Sequence, residues 1–168
     1  MLAQQACEKI DRTRNVAGTA LASLLHTEPE IPHIPCRGQL LHLFPRGEEN
    51  QINYVSPSVT FPKFVELLDL EMYRYNVLLG FTVSVGGLTE SLVKYSHAAL
   101  LDYLQHPAKQ ERVGYVSDSI ILIFKKNQKD DRVIIPLMKM TSQLLTGEAV
   151  RSKSLLQLCI FLCHKFPL

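Results

Sequence analysis

The 168-residue sequence predicts an all-α fold, a serial stack of helix pairs interrupted once by a proline-rich insertion. Three observations predict it. Apolar residues recur at steps of three and four through most of the chain, the period of a helix with one buried face. Residues 71–85 are apolar on nearly every side, which suits a helix enclosed by others and is too short for a membrane span. Gly86 and Gly87 then separate this helix from a second one, as in a tight helical hairpin. Residues 81–85 also alternate apolar with polar and are rich in β-branched side chains, so a short strand is the rival reading. No strand partner of similar pattern occurs elsewhere in the chain.

Taken in order, residues 1–10 read as helix interior with no capping residue before them, and Asp11-Arg12 marks a turn. Arg14, Ala17, Leu21 and Leu24 then share one helix face, and Gly18 with its neighbouring alanines keeps that helix thin. Residues 28–60 form the insertion. Six of the nine prolines fall between residues 27 and 62, each removing a donor and biasing its predecessor away from helix. One short helix, residues 38–44, interrupts it. An insertion of this length is either packed loosely on the surface or a binding loop.

Pro62 is expected to open the next helix, and Asp69 to cap the buried helix at 71–85. A further helix starts from Thr89 with Leu92, Tyr95, Ala99 and Tyr103 in register, and His106-Pro107 ends it. Val113, Val116, Ile120 and Ile123 define the next. Asp131 starts another, with Val133, Leu137, Met140 and Leu144 on one face, Pro136 near its start and Gly147 at its end. Residues 150–166 complete the series, with Leu155, Leu158, Leu162 and Phe166 facing the core.

Arginines mark a repeat. Arg74 and Arg112 lie 38 residues apart, Arg112 and Arg151 lie 39 apart, and each falls in the first turn of the second helix of a pair. Arg14 sits likewise, 60 residues before Arg74, a gap that the insertion explains. A two-helix period of about forty is close to that of HEAT and armadillo repeats, so a HEAT/armadillo-like α-solenoid is expected. Asp11 and Asp69 fall where such repeats carry an acidic turn residue. The three parts are then residues 1–27, the end of a repeat; residues 28–60, the insertion; and residues 61–168, further helix pairs. The chain starts inside a helix and ends on apolar residues, so a piece of a longer solenoid that self-associates alone is expected.

Composition narrows the function. Hydrophobic residues make up 46% and charged residues 20%, enough for a packed core rather than disorder. The net charge of +2 and the lack of a basic stripe with interleaved aromatics argue against nucleic acid. Lys125, Lys126 and Lys129 are followed at once by Asp130 and Asp131, which reads as a helix end. Glu8 and Asp11 stand where a signal peptide would be apolar, and no run is apolar enough for a transmembrane helix. The four cysteines follow no extracellular framework, so reduced thiols in a cytosolic chain are expected.

No phosphate loop, nucleophile elbow, H-E-x-x-H or C-x-x-C occurs, and neither a catalytic residue nor a cofactor is expected. Cys159, Cys163 and His164 come closest to a metal site, but cores use cysteine freely and zinc needs further ligands. Glu66, Asp69 and Glu71 cluster at a helix turn, as caps and dipole partners do.

Residues 42–68, 73–96 and 155–168 together resemble the tubulin-folding cofactor D family, and the likeness runs along nearly the whole chain. The resemblance implies a piece from the C-terminal half of a larger helical solenoid. It implies capture of β-tubulin after chaperonin release, and assembly with cofactors C and E and α-tubulin. It also implies binding to a small Arf-like GTPase, stimulation of GTP hydrolysis by tubulin, and dismantling of tubulin heterodimers. The implied location is the cytoplasm, with the cytoskeleton, centrosome and cell junctions. Large partners bind through aromatic and arginine anchors, for which Phe61, Tyr73, Arg74 and Tyr75 are the candidates. The alternative is a HEAT-repeat adaptor carrying a different protein cargo.

Overall fold

A computed structural model of the chain describes residues 1–47, 52–86, 89–107 and 111–146. Every regular element among them is helical: α1 (Leu2–Gln5), α2 (Asp11–Leu25), α3 (Arg37–Leu43), α4 (Pro57–Val65), α5 (Glu71–Val85), α6 (Glu90–Gln105), α7 (Arg112–Lys126) and α8 (Asp131–Thr146). A 3₁₀ turn, Glu66–Asp69, joins α4 to α5. The enclosed helix has the bounds its composition gave, and Phe81–Val85 is its last stretch rather than a strand. Gly147 and the helix expected at 150–166 lie outside the described residues.

Three local readings are corrected. The first segment is helical only over Leu2–Gln5, and Ile10 is extended so that α2 begins at Asp11. Pro57, not Pro62, opens α4. Pro57 sits at the first helical position, where its missing donor is not needed. Pro62 lies inside the helix with Ser58, and both are exposed, so the carbonyl that Pro62 leaves unbonded can face water. Leu70, not Asp69, is the N-cap of α5.

The core is organised on α5. It packs against α1, α4, α6, α7, α8 and the 3₁₀ turn, and buries Val77, Leu78, Phe81 and Val85 completely. Its polar residues are accommodated by backbone acceptors. Thr82 Oγ1 donates to Leu78 O at 2.8 Å and Ser84 Oγ to Cys7 O at 2.5 Å. Gly80 lies so close to α1 that a Cβ there would overlap the carbonyl of Gln4. Gly86 meets Pro136 of α8 in the same way at the other end. Stacking proceeds in series, α4 on α6 and α5 on α7, after which α8 packs on α5 and α7.

The described part of the insertion is not loosely packed. Leu40, Phe44 and Tyr54 belong to the core. The Phe64 ring of α4 lies 4.8 Å from Phe44 and 6.4 Å from Tyr54, centroid to centroid. The Tyr54 ring lies flat against Gly18 of α2, where any Cβ would collide with it. His26 Nε2 is 2.8 Å from Phe44 O, so the end of α2 also holds the end of α3. Aromatic burial therefore anchors the proline-rich residues that flank α3.

Candidate partner-binding surface

The first turn of α5 carries Tyr73-Arg74-Tyr75, three half-buried residues that reach in different directions. Tyr73 Oη donates to Pro35 O of the insertion at 2.8 Å. Arg74 stacks its guanidinium on the Tyr115 ring of α7, 3.8 Å from the centroid, and donates from Nε to Leu68 O at 2.8 Å. Tyr75 receives Lys126 Nζ over its ring at 4.6 Å, and Asn127 Nδ2 donates to its hydroxyl at 3.3 Å. Tyr115 lies in the first turn of α7 and Asn127 at its C-cap, so the tripeptide grips both ends of one helix. The start of α5 thus makes one cation–ring contact at each end of α7 and a separate hydrogen bond to the insertion.

Beneath this turn lies a charged cluster. Asp69 accepts from Tyr103 Oη at 2.8 Å and from Arg112 Nε at 3.1 Å, and its other oxygen accepts from Arg112 Nη2 at 2.8 Å. Arg112 Nη2 also reaches Glu66 Oε2 at 2.6 Å, and Nη1 donates to Tyr103 O at 3.1 Å. The guanidinium stacks on the Tyr103 ring at 3.9 Å. The group ties the 3₁₀ turn, α6 and α7 together. Burial first, then the hydrogen bond to Asp69, pushes the Tyr103 hydroxyl far above its ordinary pKa. Burial alone would lower Arg112, but its bond to Asp69 and the charge of Glu66 outweigh this and raise it.

The remaining candidates are placed as follows. Phe61 is wholly buried, 5.2 Å from the Phe81 ring, and presents no surface to a partner. Arg14 is also wholly buried and paired with Asp11. Arg112 is the first residue of its helix, whereas Arg14 and Arg74 are the fourth of theirs, so all three lie in a first turn. Arg151, Cys159, Cys163 and His164 lie outside the described residues. Sequence reasoning missed Tyr103 and Tyr115 as partners of the arginines. The signal that could have found Tyr115 is an aromatic ring in the first turn of α7 that lies off the Val113, Val116, Ile120 and Ile123 series.

Chemically, this arrangement offers cations held on aromatic faces and a buried ion pair, which recognise and position but do not activate a nucleophile. Among the described residues no three His, Cys, Asp or Glu side chains stand where they could hold a metal ion. No helix among them is long and apolar enough to cross a membrane.

Comparison with known proteins adds two findings. Residues 1–162 match the family described as tubulin folding cofactor D C terminal. The chain is also similar to a tubulin-specific chaperone D of Dictyostelium discoideum, 23% identical over 177 aligned residues that cover 98% of this chain and 12% of that protein. The chain thus spans about an eighth of that relative's length. No solved structure is significantly similar.

Proposed function

The chain belongs to the tubulin folding cofactor D family, and on that footing we propose that it serves a tubulin chaperone as part of a helical surface that holds β-tubulin. Its work is positioning after chaperonin release, within heterodimer assembly and disassembly with α-tubulin and cofactors C and E. Stimulation of tubulin GTP hydrolysis arises through those cofactors together, with no catalytic group from this chain, and a small Arf-like GTPase is a further partner. The setting is the cytoplasm, at the cytoskeleton, centrosome and cell junctions. The helices stack as HEAT-like pairs whose turns are tied by Asp11 with Arg14 and by Asp69 with Arg74 and Arg112.

The observation that carries this reading is the family match over 162 of 168 residues. The described architecture supports it, because stacked helices make a broad face suited to a large globular partner. Tyr73, Arg74 and Tyr75 are the contacts proposed, being half-buried aromatic and arginine side chains at the start of α5. Retention of β-tubulin by the immobilised chain tests it. The wild type retains β-tubulin, and a chain scrambled over residues 73–96 does not. Equal retention by both would refute the assignment of the surface, and no retention by the wild type would refute the function.

A further inference from the structure

Residues 29–37 read Pro-Glu-Ile-Pro-His-Ile-Pro-Cys-Arg, with a proline at every third position. Three residues per turn is the period of a polyproline II helix, which would bring the three rings onto one edge. Pro32-x-x-Pro35 is the spacing that aromatic-lined grooves bind through their two proline slots. An arginine two residues further on suits an adjoining acidic pocket, through a charge-assisted contact. Pro29, Pro32 and Pro35 are all exposed.

The segment is nevertheless folded back. His33 and Cys36 take left-handed backbone, with φ of 64° and 55°, although neither is glycine. Side-chain contacts hold this shape against the backbone preference. Tyr73 Oη bonds Pro35 O at 2.8 Å. Arg37 Nη1 pairs with Glu30 at 2.6 Å, and Arg37 Nη2 donates to Leu25 O at 2.7 Å. Ile34, between two prolines, packs partly against the core. Opening would restore extended backbone at both strained residues, a conformation already favoured for Ile31 and Ile34 by the prolines that follow them.

We infer that residues 29–37 are a latent polyproline ligand, latched by Tyr73 and Arg37, for a partner domain of the SH3 type with an aromatic-lined groove and an acidic pocket. Strain at His33 and Cys36 favours release, and the latch opposes it, so removal of one latch bond shifts the balance measurably. The motif and the probe do not involve tubulin, so this test is read separately from the tubulin one, although Tyr73 is the latch here and a proposed contact there.

The test is calorimetric titration of the intact 168-residue chain into a panel of purified SH3 domains that select Pro-x-x-Pro-x-Arg peptides. At least one domain binds the wild type. Tyr73→Phe, which removes a single oxygen near the surface, binds about five-fold more tightly. His33→Gly relieves the left-handed strain in the closed form and binds more weakly. The double variant Pro32→Ala/Pro35→Ala does not bind, while circular dichroism shows its helices intact. Lack of binding by both wild type and Tyr73→Phe across the panel, or binding that survives the double proline variant, overturns the ligand. Equal affinity of wild type and Tyr73→Phe overturns the latch.

Discussion

Arg14 and Arg74 hold the same place in two helices. Each is the fourth residue of its helix, after an apolar N-cap with extended backbone: Ile10 at φ −91°, ψ 119°, and Leu70 at φ −96°, ψ 110°. Each donates to the carbonyl six residues back, Arg14 Nη1 to Glu8 O at 2.9 Å and Arg74 Nε to Leu68 O at 2.8 Å. Each also faces a ring of a later helix, Phe61 of α4 at 5.7 Å and Tyr115 of α7 at 3.8 Å. Both therefore clip the turn before their own helix and reach forward along the stack.

Burial separates their energetic weight. Arg14 is wholly enclosed and also donates to Val55 O at 2.9 Å, whereas Arg74 is half-buried. Arg14→Ala removes a fully buried side chain together with its bonds to the Glu8 and Val55 carbonyls and lowers stability by about 3 kcal/mol, against about 1 kcal/mol for Arg74→Ala. Urea midpoints of the two variants, at constant slope, measure the difference.

Arg112 is the costliest charge to remove. Its loss leaves Asp69 without its bidentate partner in a site where that carboxylate is 18% exposed, so Arg112→Ala destabilises by roughly 3–5 kcal/mol. Arg132, which pairs with Asp130 at an exposed turn, shifts the urea midpoint immeasurably when replaced by alanine. The contrast checks that burial, and not ion pairing as such, sets the effect.

Alkaline pH acts through Tyr103. Its pKa in the folded chain is raised by burial and by Asp69, so the unfolded chain releases this proton first, near pH 10. The stabilisation is complete below that value and is lost progressively as pH rises above it. Tyr103→Phe flattens the fall of stability between about pH 9 and 11. Tyr54 and Tyr73, both also raised by burial, leave a residual slope. Unfolding free energies across that range provide the check.

Glycine substitutions have opposite signs according to their neighbours. Gly18→Ala forces a Cβ into the base of the Tyr54 ring and destabilises by about 1–3 kcal/mol despite its better helix propensity. Gly114, inside α7, has nothing within 4 Å of its added Cβ, and Gly114→Ala stabilises by about 0.5–1 kcal/mol. Thermal midpoints of the two variants move in opposite directions.

Thiol reactivity follows burial. In a chain with Cys159→Ser and Cys163→Ser, Cys36 labels promptly with a disulfide reagent and Cys7 only on unfolding. Cys7 is enclosed between α1 and α5, and desolvation holds its pKa well above the usual range, whereas Cys36 is half-exposed. Timed labelling before and after urea distinguishes the two.

Much of the fold was legible because it rests on periodicity. The α5 helix was readable from its apolar surround, and α6, α7 and α8 from their steps of three and four. Helix starts read less well where proline was the marker, because Pro57 and Pro62 are equally plausible openings until tertiary packing chooses between them. The role of Asp69 was hidden because its partners, Tyr103 and Arg112, lie 34 and 43 residues away. Phe44 and Tyr54 stand among prolines without a period, so nothing in the sequence showed that they join the core. Among the proposed contacts, burial of Phe61 depended on the Phe81 ring of another helix, which no local pattern encodes.

The most direct test of the tubulin-binding surface is hydrogen exchange of the chain with and without β-tubulin. Binding slows exchange over residues 73–75 and at the end of α7, around residues 125–127, where Tyr75, Lys126 and Asn127 meet. Unchanged exchange there under saturating β-tubulin, or slowing confined to distant helices, would contradict the account.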